Sequence, residues 1–166
     1  KSNSILNINS GNFTNEKDYV IGFTSNSSYT YITDSVININ GGTIKSSYVP
    51  IYVYKDSIVN INSGDVVYSG SDKYAIENKG TLNVNGGTVT SSYTGINNKS
   101  VLSVNGGNIN AISSAISVNY SSTEINISSE LEEALKNLME NKFVKNSRIF
   151  DTKEGNINTL TLMILK

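Results

Sequence analysis

Aliphatic and polar residues alternate in short bursts along this chain, and each burst runs into a glycine. The first is Leu6-Asn7-Ile8-Asn9-Ser10-Gly11-Asn12-Phe13. It returns as Ile37-Asn38-Ile39-Asn40-Gly41-Gly42-Thr43-Ile44 and as Val59-Asn60-Ile61-Asn62-Ser63-Gly64-Asp65-Val66. Two further copies are Leu82-Asn83-Val84-Asn85-Gly86-Gly87-Thr88-Val89 and Leu102-Ser103-Val104-Asn105-Gly106-Gly107-Asn108-Ile109. Measured at the last glycine, the spacings are 31, 22, 23 and 20 residues. A broken sixth copy, Ile125-Asn126-Ile127-Ser128, lacks the glycines.

A period of two marks a strand with one buried face. Leu82 and Val84 should point inward and Asn83 outward. The glycine then turns the chain, because it accepts positive φ and carries no side chain to meet the next repeat. Thr88-Val89-Thr90 restarts the alternation as a second strand. Ala75-Ile76-Glu77-Asn78-Lys79-Gly80 and Gly95-Ile96-Asn97-Asn98-Lys99-Ser100 supply a third. Three short strands in 20 to 23 residues make one rung of a right-handed parallel β-helix. The pattern predicts an all-β solenoid of about five to six rungs over residues 1–128. A leucine-rich repeat would need a Leu-x-x-Leu-x-Leu motif, which is absent, and a β-sandwich would need antiparallel hairpins at uneven spacing. Stacked rungs align equivalent residues: Ile8, Ile39, Ile61, Val84 and Val104 in an aliphatic column, and Asn9, Asn40, Asn62, Asn85 and Asn105 in a column of amides able to bond one another.

The repeat stops after Ser128. Ser129-Glu130-Leu131-Glu132 reads as a capping box, and Leu131, Ala134, Leu135 and Leu138 share one helical face. A helix to about Asn141 should cover the open solenoid end. Two short strands should follow, Arg148-Ile149-Phe150 and Thr159 to Leu165. Residues 129–166 are thus read as a C-terminal cap, helix plus β tail.

Composition narrows the function classes. Hydrophobic residues are 37%, little for a compact globule but enough for a thin solenoid core. Net charge is −1 and charged residues are 16%, so no basic face for nucleic acid is expected. Asn and Ser, 25 of each, supply the polar surface instead. The chain has no Cys and no His, which excludes thiol nucleophiles, disulfides, ordinary zinc sites and histidine-dependent triads. Lack of Cys fits a secreted bacterial protein that does not rely on disulfides. No apolar run is long enough to span a membrane. The chain starts at Lys1 without a signal peptide and reads as a processed fragment of a longer protein.

The strings Thr81-Leu82-Asn83-Val84-Asn85-Gly86-Gly87-Thr88-Val89 and Ala75-Ile76-Glu77-Asn78-Lys79-Gly80 resemble repeats in surface-anchored and secreted proteins of Gram-positive anaerobes, within the pectate-lyase-like β-helix class. The resemblance covers residues 4–128. It implies a fold shared by polysaccharide lyases, hydrolases, adhesins and carbohydrate-binding modules, some of which bind polysaccharide with calcium. No position matches a catalytic motif of that class.

Seven residues are candidate ligand contacts: Tyr48, Tyr68, Asp72, Tyr74, Tyr93, Tyr19 and Tyr29. Tyr48 and Tyr93 share a repeat position six residues past the last glycine, and Tyr68 and Tyr74 lie in the same stretch of their own rung. They predict an aromatic strip on which sugar rings stack, or tyrosines that shield the core with their hydroxyls in water. The first rung carries the longest insertion, near Asn15 to Thr30, with Glu16, Asp18, Tyr19 and Tyr29, and with Tyr31 just beyond. It reads either as a sugar pocket or as an N-terminal cap. The outward asparagines Asn7, Asn38, Asn60 and Asn83, then Ser103, form a flat polar face that either docks an extended polysaccharide or is simply solvated.

Catalysis has little support. A glycoside hydrolase wants two carboxylates about 5–10 Å apart in a cleft, whereas Asp56, Asp65, Asp72 and Glu77 pair at no repeat position. A lyase wants an Arg or Lys base beside calcium-binding acids, and the lone Arg148 lies in the tail. Calcium would suit a carboxylate pair in a loop, but the scattered acids assign no site, and no other cofactor is indicated. The expected function is non-catalytic adhesion or carbohydrate binding at a bacterial cell surface, with a polysaccharide or host glycan and the neighbouring domains of a longer chain as partners. The alternatives are a ligand-free stalk and a polysaccharide lyase or glycoside hydrolase fragment.

Overall fold

The computed structural model describes residues 4–22, 34–118 and 124–127. Among them are fifteen strands and no helix. The first rung holds β1 (Ile5–Ile8) and β2 (Asn12–Asn15). The second holds β3 (Val36–Ile39), β4 (Thr43–Ser46) and β5 (Ile51–Val53). The third holds β6 (Ile58–Ile61), β7 (Asp65–Tyr68) and β8 (Tyr74–Asn78). The fourth holds β9 (Thr81–Val84), β10 (Thr88–Ser91) and β11 (Thr94–Asn98). The fifth holds β12 (Val101–Val104), β13 (Asn108–Ala111) and β14 (Ser114–Val118), and β15 (Glu124–Ile127) begins the next.

Three parallel sheets run the length of the stack. One is β1-β3-β6-β9-β12-β15, the second β2-β4-β7-β10-β13, and the third β5-β8-β11-β14. Four rungs are complete, and the first reaches the third sheet only through a bridge from Ile21 to Ile51. This is the parallel β-solenoid that the repeat predicts. The proposed capping helix and β tail, with Tyr29 and Tyr31, lie outside the described residues.

The register is that of the repeat: Ile5 to Ile8 pair with Val36 to Ile39, and Val101 to Val104 with Glu124 to Ile127. Alternation sends one residue in two inward. Ile39, Ile61 and Val84 are fully buried and Ile8 and Val104 nearly so, as the aliphatic column requires, and Leu82 points inward beside them. In the second sheet Ile44, Val66 and Val89 stack. In the third, Ile51, Ile76 and Ile96 stack, with Ile116 almost as deep. Each such side chain contributes about 1.5–3 kcal/mol through burial. Because every core contact lies within a rung or between neighbours, the core is a column that opens at its first rung. There Ile5 and Leu6 are exposed.

The repeat glycine has a steric reason. Gly64 holds φ at +87°, and a Cβ added there would sit 2.6 Å from the carbonyl oxygen of Gly42 in the rung before. Two amide ladders run here, an exposed one beside this turn and a largely half-buried one along the outer face of the first sheet. Asn40 donates to Asn9, Asn62 to Asn40, Asn85 to Asn62 and Asn105 to Asn85, all at 2.8–2.9 Å. Asn38 donates to Asn7, Asn60 to Asn38 and Asn83 to Asn60, each at 2.8 Å.

Candidate functional site

The candidate site follows the edge where the second sheet turns into the third. Its local structure starts from an inner column of hydroxyls. Ser46, Tyr68 and Ser91 are in register at the ends of β4, β7 and β10, and all three are buried. Ser46 Oγ accepts the backbone N–H of Tyr48 at 2.9 Å, and Ser91 Oγ accepts that of Tyr93 at 3.1 Å. In the rung between, the turn is longer, and the longer Tyr68 side chain reaches across it. Its phenolic oxygen accepts the N–H of Asp72 at 3.1 Å and of Lys73 at 2.8 Å, and donates to Asp72 Oδ1 at 3.2 Å. The same device thus serves three consecutive turns and satisfies backbone donors that water would reach poorly.

What these turns present is an outer column. The pairing of Ile51 with Ile76 and of Thr94 with Tyr74 aligns Tyr48, Lys73 and Tyr93 on successive rungs. Lys73 Nζ lies 4.7 Å from the centre of the Tyr48 ring. Tyr19 extends the column into the first rung, its ring 5.3 Å from that of Tyr48 and nearly perpendicular to it, at 78°. Tyr93 is 40% exposed, and Tyr19, Tyr48 and Lys73 are half-buried. The column crosses three inter-rung steps, roughly 14 Å.

A second group adjoins it on the outer face of the third sheet. Tyr52 is 5.1 Å from Tyr19 and 6.2 Å from Tyr54, and Lys79 Nζ stands 5.2 Å from the Tyr52 ring centre. Glu77 Oε1 receives Lys99 Nζ at 2.8 Å and Lys79 Nζ at 3.7 Å. The hydrogen bond to Tyr52 is the main reason that Lys79 holds its proton above the ordinary lysine range, with Tyr52 and Glu77 assisting electrostatically and burial opposing. Burial, then the adjacent Tyr48, pushes the Tyr19 hydroxyl well above its usual range.

The sequence-derived candidates therefore separate. Tyr19, Tyr48 and Tyr93 come together along one edge. Tyr68 does not join them. At 1% exposure it is a core residue, because alternation from Val66 turns it inward and the small Ser46 and Ser91 above and below leave it room. Those small neighbours were a readable signal. Asp72 is exposed, with its carboxylate tied to Tyr68. Tyr74 is half-buried at the start of β8, one position beyond the column. Tyr29 falls outside the described residues.

The first part of the insertion is docked. Ser46 Oγ donates to Asp18 O at 3.2 Å, Ser47 Oγ to Glu16 O at 2.8 Å, and Asn15 Nδ2 to Tyr19 O at 3.1 Å. Val20 and Ile21 donate to Pro50 O. Residues 15–22 thus serve to seat Tyr19 on the second rung. The repeat pattern in the sequence does not mark Lys73, Tyr52, Tyr54 and Lys79 as members of this edge. Tyr52 was legible in the alternation Ile51-Tyr52-Val53. Lys73 was not, because its alignment with Tyr48 depends on turns of unequal length.

Among the described residues no three acidic side chains gather as a metal site would require, and no helix is long and apolar enough to cross a membrane. No protein-family model, curated protein or solved structure matches the chain.

Proposed function

We propose that this solenoid is a non-catalytic extracellular binding module of a bacterial surface protein, and that it holds a polysaccharide chain along the Tyr19–Tyr48–Lys73–Tyr93 edge. The observation that carries this reading is the alignment of three tyrosines and a lysine on four consecutive rungs. Tyrosine offers sugars an apolar face for their C–H groups and a hydroxyl for hydrogen bonding. The lysine ammonium donates to ring oxygens, hydroxyls or carboxylates. A hexopyranose chain advances per residue by a length close to one rung, so one sugar can meet each member of the column. Tyr93, the most open ring, would be the main contact.

The test is a glycan array probed with the folded protein. Binding to at least one polysaccharide is expected. Tyr93→Ala should weaken it roughly tenfold, which corresponds to about 1.4 kcal/mol, with unchanged circular dichroism. No binding to any glycan would leave the stalk reading, which the amide ladders favour because they tie the first five rungs together. Release of reducing or unsaturated ends from a polysaccharide would favour a degrading enzyme instead.

A further inference from the structure

Three repeat turns contain asparagine followed directly by glycine: Asn40-Gly41, Asn85-Gly86 and Asn105-Gly106. In this dipeptide the backbone nitrogen attacks the asparagine side chain most readily, because glycine has no side chain to hinder the approach. All three asparagines are exposed and belong to one amide ladder. Their positions in the ladder differ. Asn40 donates to Asn9 and accepts from Asn62, each at 2.9 Å. Asn85 donates to Asn62 at 2.8 Å and accepts from Asn105 at 2.9 Å. Both are held from two sides. Asn105 donates to Asn85, and among the described residues none donates to Asn105 in turn; in the sequence its repeat position is next taken by Ser128, whose side chain has no amide. The attacking nitrogens of the last two pairs are restrained alike: Gly86 N–H bonds Ile61 O at 3.1 Å, and Gly106 N–H bonds Val84 O at 3.2 Å. The difference between them lies in the side chain.

We propose that Asn105 is a site of spontaneous deamidation, and that the ladder orders this modification from its last rung inward. The Gly106 backbone nitrogen loses its proton to hydroxide and bonds to Asn105 Cγ. The Cγ–Nδ2 bond breaks as Nδ2 takes a proton from water, so ammonia leaves and the hydroxide is regenerated. Water then opens the five-membered imide at either carbonyl, giving aspartate or isoaspartate. Water is the only co-reactant. The product carries a negative charge and no amide hydrogen, so Asn85 Oδ1 loses its donor. Asn85 then becomes the end of the ladder, held by one amide bond instead of two, and is next to react. The modification marks the age of the folded protein without any ligand.

The experiment ages the folded 166-residue chain in mildly alkaline buffer, beside a sample in urea, and quantifies aspartate and isoaspartate at each site by peptide mass spectrometry. In urea the three sites should react at similar rates. In the folded protein Asn105 should react roughly tenfold faster than Asn85 or Asn40, since one amide bond fewer must break to free its side chain. Equal rates at Asn85 and Asn105 in the folded sample, or an inert Asn105, would overturn the proposal. Asn105→Ser, a change at an exposed turn, makes Asn85 the terminal amide and should raise its rate roughly tenfold. An unchanged Asn85 rate would remove the ladder from the explanation.

Discussion

The phenolic oxygen of Tyr68 accepts the backbone N–H of Lys73 at 2.8 Å. In the rungs on either side a serine does the same for the tyrosine of its turn. An inner column of hydroxyls therefore sets the geometry of the outer column proposed to meet the ligand. Each hydroxyl is buried beside a turn and accepts an N–H of that turn.

Tyr68→Phe keeps the ring in the core and removes the acceptor for two N–H groups. It should cost about 1–3 kcal/mol and weaken glycan binding, although Tyr68 is only 1% exposed and touches no ligand. Denaturant titration reads the first effect. An unchanged midpoint would mean that water replaces the phenol without penalty.

Asparagine ladders inside and outside the stack should differ in worth. Asn78 is fully buried. Its Nδ2 reaches Asn98 Oδ1 at 2.6 Å and Val101 O at 2.7 Å, and its Oδ1 accepts the Gly80 N–H at 3.1 Å. Asn78→Ala strands these partners away from water and should cost about 3 kcal/mol. Asn60→Ala breaks two ladder bonds on the half-buried outer face, where water can substitute, and should cost about 1 kcal/mol. Equal losses in parallel unfolding curves would contradict this account.

Gly64→Ala forces a side chain into positive φ and against the Gly42 carbonyl oxygen. The strained backbone alone costs about 1–3 kcal/mol, and the contact between rungs adds to it. Thermal unfolding should show a clearly lower midpoint. Stability equal to the parent would show that the rungs can separate at this turn.

Alkaline pH should loosen the aromatic edge. Lys79 and Tyr19 both hold their protons above their ordinary values of 10.5 and 10.0. Stability from a group with a raised folded value is complete below its unfolded value and is lost as pH rises through the folded one. Stability should therefore be level at neutral pH and fall above about pH 10. The double variant Tyr19→Phe with Lys79→Met should flatten that fall. A slope identical to the parent's would assign the alkaline loss to other groups. Spectroscopic titration offers a separate check, with Tyr19 ionising above the usual tyrosine range.

The solenoid was legible because its rule is local and repeated. Leu82-Asn83-Val84 states which residue points inward, and Gly64 and its equivalents state where the chain turns. Stacking identical rungs then aligns Asn85 with Asn62 without further information. The edge was only partly legible. Tyr48 and Tyr93 could be paired by counting from their glycines, but Lys73 lies on a longer turn, so counting fails there. Counting also drew Tyr68 outward, against its own alternation with Val66.

By itself, then, the sequence determined the strand period, the rung length and the ladders of like residues, because each depends on spacing along the chain. Only the tertiary structure decided that Tyr68 fills the gap between Ser46 and Ser91, and that Tyr19, Tyr48, Lys73 and Tyr93 form one edge. Those relationships depend on the room that neighbouring rungs leave and on turns of unequal length, which fix neighbours in space that no constant spacing describes.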